Sequence, residues 1–317
     1  MCPFCFYFCM QIMLKTDMEN KKSLVGAWVE AARPRTLPAS VSPVLLGCAL
    51  AYYDGAFDVV PAVLCLLVAL FAQIASNFAN DYFDFKKGAD REDRLGPERA
   101  VAEGWITPKA MLTGTFVTLG LACAAGLLLV CFADWRLIGV GIAIAICVLA
   151  YSAGPFPLAY NGLGDVCVLL FYGVIPVCFT YYIQTLNFSL LSFLLSVALG
   201  LLSVNILIVN NYRDYEQDKA GRKRTTIVLF GRRAGRVFYV LNECMAFLLV
   251  LPLILDAPWW ILFLFGILFA LCFYTTRELF TLEGRALNRT LGHTVRNVFL
   301  FASVLSLLFL YIGGVSN

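Results

Sequence analysis

NFSLLSFLLSVALGLLSVNILIVNNYRDYEQD, residues 187–218, is an apolar run that ends without a break in acids and amides. About 20 apolar residues span a bilayer's hydrocarbon core, so residues 187–212 read as a transmembrane helix. Alternation in ten-residue pieces, the mark of a membrane β-barrel, is absent. Lipid offers backbone groups no hydrogen-bond partner, which leaves helices as the spanning elements. Eight more apolar stretches fall at 37–53, 59–81, 108–131, 134–151, 163–184, 236–255, 257–275 and 294–314. The first and fourth are short. The sequence therefore predicts an all-α polytopic membrane protein with nine transmembrane helices.

Composition agrees. Of 317 residues, 61% are hydrophobic and 14% charged, with a mean hydropathy of +0.80. Soluble domains carry roughly 25% charged residues, so an ordinary soluble enzyme is excluded. A net charge of +3 is too small to argue for nucleic acid, and no nucleic-acid partner is expected. Most of the 12 cysteines lie inside apolar runs, where Cys is a small hydrophobe. The exceptions are Cys2, Cys5 and Cys9, in an extension over residues 1–22. Residues 23–317 read as a single transmembrane domain.

Basic residues orient the spans. With nine spans, every Lys and Arg except Arg136 falls on the side of the amino terminus. By the positive-inside rule the amino terminus and the two long polar loops face the cytoplasm, across the inner (cytoplasmic) membrane.

Two acidic segments carry the chemistry. Asn77, Asn80, Asp81 and Asp84 stand at i, i+3, i+4 and i+7, one face if the second helix continues. Asn210, Asn211, Asp214 and Asp218 form a similar set at the end of the sixth. Both segments lie on the same membrane side and both precede basic residues: Arg91, Arg94 and Arg99 in one case, Lys219, Arg222, Lys223 and Arg224 in the other. Carboxylates at a membrane boundary are costly unless paired or metal-bound. Hard oxygen ligands suit Mg²⁺, which bridges carboxylates and phosphates, and Lys and Arg suit diphosphate oxygens. Acids, Mg²⁺ and bases opening into apolar helices point to a lipid diphosphate. An acid-lined ion or lipid-diphosphate transporter is the reading from a different class; its acids would sit nearer the bilayer midplane.

These residues resemble the UbiA-type membrane prenyltransferases. Asn80-Asp81-x-x-Asp84 is similar to their first aspartate-rich motif and Asp214-x-x-x-Asp218 to their second. Residues 28–39 (WVEAARPRTLPA), Gly88-x-Asp90, Tyr151-Ser152-x-Gly154-Pro155, Gly162-Leu163-Gly164-Asp165, residues 210–214 (NNYRD), Leu287-Asn288 and Thr294-x-Arg296 resemble the branch that prenylates 1,4-dihydroxy-2-naphthoate in menaquinone biosynthesis. The shift from Gly88 to Asp90 is typical of that branch and argues against 4-hydroxybenzoate, homogentisate or haem as acceptor. The likeness covers about residues 24–314.

The resemblance implies a UbiA-like bundle with its site open to the cytoplasm. It implies Mg²⁺-dependent transfer from a polyprenyl diphosphate to dihydroxynaphthoate, with decarboxylation, giving demethylmenaquinone. Asn80, Asp84, Asp214 and Asp218 are the expected catalytic set, with Asp81, Asp90 and Asn210 as further metal-binding candidates. Arg94, Arg213, Lys219, Lys223 and Arg224 are expected around the diphosphate. Arg33, Arg35, Tyr151, Ser152 and Asp165 are expected around the acceptor. Neither His293 nor Cys48 is expected to act.

Overall fold

The structure, a computed structural model, describes residues 22–88 and 94–316. Asp90, Arg91 and the three amino-terminal cysteines lie outside the described residues. The helices are α1 (Leu24–Ala32), α2 (Leu37–Tyr53), α3 (Val59–Lys86), α4 (Pro108–Leu129), α5 (Leu137–Ala150), α6 (Gly164–Thr185), α7 (Leu190–Arg213), α8 (Tyr215–Ala220), α9 (Thr226–Leu255), α10 (Trp259–Thr281) and α11 (Leu287–Ser316). Among the described residues there is no strand.

Eight segments among the described residues are long and apolar enough to cross a membrane, counting α1 and α2 as one, and α5 is a shorter ninth. Expected and observed elements thus correspond one to one, with different ends. α9 starts at Thr226 and α11 at Leu287, well before the expected 236 and 294. Arg232, Arg233 and Arg236 early in α9 and Arg289 in the first turn of α11 depress hydropathy there, so the apolar runs begin later than the helices, and α9 is itself interrupted at Gly231. Side-chain caps set several starts: Asp58 accepts from Val60 N–H, Thr107 from Ala110 N–H, Ser189 from Ser192 N–H and Thr225 from Val228 N–H.

The outer surface is apolar. Phe116, Leu128, Ile146, Leu248 and Phe273 are each more than half exposed. A water-soluble monomer does not leave such a belt bare; here lipid covers it.

The inner core joins α2, α6, α7, α9, α10 and α11 through residues such as Leu46, Val177, Leu199, Val250, Phe265 and Phe301. α6 and α7 approach most closely at two glycines. A Cβ on Gly173 would lie 2.5 Å from Gly200 Cα. Gly173 sits in a π-helical turn, Leu170–Val174, just before Pro176. Proline brings no N–H, and a wide turn absorbs the missing bond. That turn faces Phe171 and Tyr172 toward a large internal space. α3 runs along α4, and a smaller core (Ala27, Phe78, Val101, Met111) fixes α1 and residues 94–106 over the end of α3.

Candidate active site

A cavity of 1210 Å³ opens between α3, α4, α5, α6 and α7. Its long apolar part is walled by side chains such as Val68, Leu119, Leu127, Ile144 and Phe179. Its polar end holds Asn80 and Asp84 from α3, and Asn210, Asn211, Asp214 and Asp218 from α7 and α8. Two segments more than a hundred residues apart in sequence therefore meet at one mouth. Asp218 feels the charge of both Asp84 and Asp214.

α3 continues to Lys86, so the first acidic segment is a true helix face. Its members nevertheless diverge. Asp84 Oδ2 pairs with Arg99 Nη2 at 3.2 Å and Oδ1 accepts from the Tyr160 hydroxyl at 2.8 Å. Asp81 departs from the expected metal-binding role. It is 2% exposed, does not line the cavity, and accepts the Ala100 and Val101 backbone N–H groups at 3.1 and 3.3 Å. Its work is to tie the following loop down.

The second segment is not one helix face. α7 ends at Arg213 and Asp214 leads into the short α8. Arg213 is 1% exposed and organises the bend. It donates to both Asp214 carboxylate oxygens, at 2.7 and 2.6 Å, to Asn210 Oδ1 at 2.9 Å and to Asn288 Oδ1 at 2.7 Å. Asn288 passes the tie on, donating to Leu95 O at 2.9 Å. Gly96 lies against this guanidinium, since a Cβ there would be 2.7 Å from Nη2. Asp218 pairs with Lys223 at 3.6 Å. Burial pushes its carboxyl up to about 6, against the pull of Lys223 and with like charge from Asp214 and Asp84 adding to the rise.

Arg94, Arg213 and Lys223 line the cavity. Lys219 and Arg224 are exposed and do not; Arg224 contributes its backbone N–H to Tyr160 O at 3.0 Å. Lys87 lies beside the mouth without lining the cavity, 4.3 Å from the Tyr160 ring and donating to Ser152 O at 2.6 Å. Burial lowers its pKa, and nearby Asp84 opposes that. Of the acceptor candidates, Arg33, Arg35, Tyr151 and Asp165 line the cavity. Ser152 does not; it is 1% exposed and offers only its carbonyl, to Lys87. Arg33 occupies a left-handed backbone position (φ +55) between α1 and the next turn.

Among the described residues no three His, Cys, Asp or Glu side chains stand close enough to ligate one ion. Each acid is held by its own base: Asp84 by Arg99, Asp214 by Arg213, Asp218 by Lys223. The donor set still fits Mg²⁺. Asp218 Oδ2 and Asn211 Oδ1 are buried oxygens without a hydrogen-bond partner, both from cavity-lining residues. Buried acceptors are normally satisfied, and hard oxygens are what this cation takes.

Several residues escaped the sequence reading. Arg99 counted only as a basic flank, and Tyr160 had no motif at all. Gln73 and Tyr172 were missed too. The Tyr172 hydroxyl donates to Gln73, Gln73 to Asn77 Oδ1 at 3.3 Å, and Asn77 to Ala32 O at 2.9 Å. This chain of amides crosses the cavity wall beside Arg33. The i, i+4, i+7, i+11 spacing of Gln73, Asn77, Asn80 and Asp84 was the available signal. His293 is engaged elsewhere, with Glu278 at 2.7 Å.

Comparison with known proteins agrees with this geometry. The UbiA prenyltransferase family profile matches residues 40–304. The chain is 37% identical over 235 residues to the 1,4-dihydroxy-2-naphthoate octaprenyltransferase of Haemophilus influenzae, covering 72% of this chain and 76% of that one. The Escherichia coli protein of the same name is 37% identical over 229 residues, 70% and 74% of the two chains. In fold it is similar to a UbiA homolog from Archaeoglobus fulgidus bound to GPP and Mg²⁺, with TM-score 0.66 at 18% identity over 91% of this chain and 98% of that one. An apolar cavity mouthed by two acidic helix ends, and a match across most of its length, place this chain in the UbiA prenyltransferase family.

Proposed function

We propose that this protein transfers the prenyl group of a polyprenyl diphosphate to 1,4-dihydroxy-2-naphthoate, with loss of carbon dioxide and diphosphate. The observation that carries the reading is the junction of Asp84, Asp214 and Asp218 at the mouth of an apolar cavity of 1210 Å³. The curated relatives named for this acceptor, and the Gly88-x-Asp90 variant, support the choice of acceptor.

Asn80, Asn211, Asp84, Asp214 and Asp218 would hold Mg²⁺. When bound, it supplies Lewis-acid neutralisation of the diphosphate. The chain does the rest. Arg94 and Lys223 present donors to the departing diphosphate, where charge builds as the allylic C–O bond breaks, and Arg213 keeps Asp214 and Asn210 in position. The apolar walls keep water from the allylic cation, and Tyr151 and Tyr172 give it aromatic faces. Arg33 faces the acceptor's carboxylate, and Tyr151 and Asp165 its hydroxyls. A C–C bond forms to the ring as the carboxylate leaves as carbon dioxide. The product is the hydroquinone, and its two-electron oxidation to demethylmenaquinone is a separate step.

The acidic helix ends and the amino terminus face the cytoplasm in the inner membrane, on the strength of the basic-residue distribution. Residues 23–317 act as one domain. The test is mass spectrometry of lipid products from membranes given Mg²⁺, dihydroxynaphthoate and a ladder of prenyl diphosphates. With 4-hydroxybenzoate supplied alongside in equal amount, prenylated, decarboxylated naphthohydroquinone is expected; prenylated 4-hydroxybenzoate in its place would overturn the acceptor.

A further inference from the structure

The basic stretch after the second acidic segment is only partly used by the active site. Lys223 faces the cavity, but Arg232 and Arg236 do not line it. They lie one turn apart on α9, just past Gly231, whose φ of +86° and ψ of 162° interrupt the helix. The helix restarts in a new direction there and presses on α7. At Gly235 an added Cβ would lie 2.5 Å from Ile227 Cδ1 and 3.6 Å from the Tyr212 ring.

The two guanidiniums converge on that ring. Arg232 Cζ is 5.5 Å from the Tyr212 centroid and 5.0 Å from that of Tyr215. Arg236 Cζ is 5.4 Å from Tyr212 and 5.1 Å from Phe280 on α10. Like charges gathered on one ring repel, and the aromatic faces offset only part of that. The protein supplies little of one. Glu216 stands 3.9 Å from Arg232 and is itself 71% exposed, and Arg236 makes no ion pair among the described residues. The Nε atoms of both arginines are buried without a hydrogen-bond partner, an expensive state for a charged donor.

The surroundings indicate which anion suits the pair. The apolar run of α9 begins at Val237, and Phe230, Val237 and Phe280 are 66%, 54% and 46% exposed. The pair sits where the hydrocarbon layer meets its headgroups. A free anion there would leave this apolar rim in water, whereas an anion carrying acyl chains covers it. Arginine forks match phosphate oxygens, and basic clefts between helix ends suit anionic headgroups.

We propose that Arg232 and Arg236 bind the phosphate of an anionic phospholipid on the outer wall of the bundle, apart from the catalytic cavity. Tyr212 lies between Asn211 and Arg213, so the bound lipid braces the end of α7 that carries the second acidic segment.

The test uses the full-length protein in neutral detergent, supplied with phosphatidylglycerol or phosphatidylcholine, with bound lipid counted by native mass spectrometry and the thermal midpoint recorded. Phosphatidylglycerol is expected to stay bound and raise the midpoint, and phosphatidylcholine to do neither. Arg232→Gln and Arg236→Gln should each weaken phosphatidylglycerol binding about five-fold; Arg136→Gln, at the opposite end of the bundle, should not. Equal retention of the two lipids by the unaltered protein overturns the proposal without recourse to any variant. So does an equal rise in midpoint from inorganic phosphate alone, which would make the occupant a free anion.

Discussion

Replacing Asp84 by asparagine removes one negative charge and almost nothing else. Asparagine keeps the shape and an acceptor for the Tyr160 hydroxyl, now 2.8 Å from Oδ1. Two losses follow, and they can be separated. Arg99 loses its anionic partner at 3.2 Å, in a pair whose side chains are 7% and 8% exposed. Breaking a buried pair from one side costs about 3–5 kcal/mol. The cavity mouth lets water reach the site, which favours the lower end, about 3 kcal/mol. Catalysis loses a ligand for the cation that neutralises the leaving group. At roughly 3–4 kcal/mol for one preorganised group, kcat falls about 100- to 1,000-fold. The assay is diphosphate release with lipid product quantified at saturating Mg²⁺, alongside a thermal unfolding scan. Asp84→Asn combined with Arg99→Met should regain part of the lost stability, because the buried guanidinium that faced the carboxylate goes with it, yet stay inactive. A folded single variant with kcat within about threefold of the parent, or a double variant that regains turnover, would refute the assignment.

Three further outcomes are expected. Mg²⁺ and the proton compete for Asp218, whose folded pKa is raised to about 6; the carboxylate is ionised at pH 7.5 and mostly protonated at pH 5, so half-saturating Mg²⁺ should rise about tenfold between them, and a flat profile would contradict its role as a ligand. Arg33→Ala should raise KM for the naphthoate about 10-fold or more, as loss of a charged hydrogen bond costs roughly 1.5–3 kcal/mol, and leave KM for the prenyl diphosphate unchanged; the reverse pattern would relocate the acceptor. Gly173→Ala forces a Cβ to 2.5 Å from Gly200 Cα and should lower stability by about 1–3 kcal/mol, seen as a fall in thermal midpoint; an unchanged midpoint would mean that α6 and α7 are not tightly apposed.

Most of the scaffold was legible because hydrophobicity and charge act over whole segments. Among the described residues each apolar stretch falls on a helical segment, eight long and one short, and both acidic clusters reached one mouth. What stayed hidden was set by distant partners. Nothing in Asp81 itself reveals that the N–H groups of Ala100 and Val101 will claim it while Asp84, three residues on, faces the cavity. The spacing places both on one helix face, and only the path of the loop after α3 separates them. Lys219 and Arg224 resemble Lys223 in sequence, but the turn after α8 points just Lys223 inward. The role of Asn288 as a strut between Arg213 and Leu95 is invisible in its motif, because it depends on three remote segments meeting.

The shortness of α5 shapes how a greasy substrate arrives. At 14 residues it rises about 21 Å, against a hydrocarbon layer of about 30 Å. Above it the chain runs irregularly from Tyr151 to Leu163, with Tyr160 and Ser152 touching Asp84 and Lys87. Irregular backbone at this depth must be buried in protein or line an aqueous cavity, and Ala159, Tyr160 and Gly162 line the cavity, so this side of the barrel of helices is a lowered sill. A charged head can slide across it to the acids while its tail drops into the cavity behind, never leaving oil for water along the way.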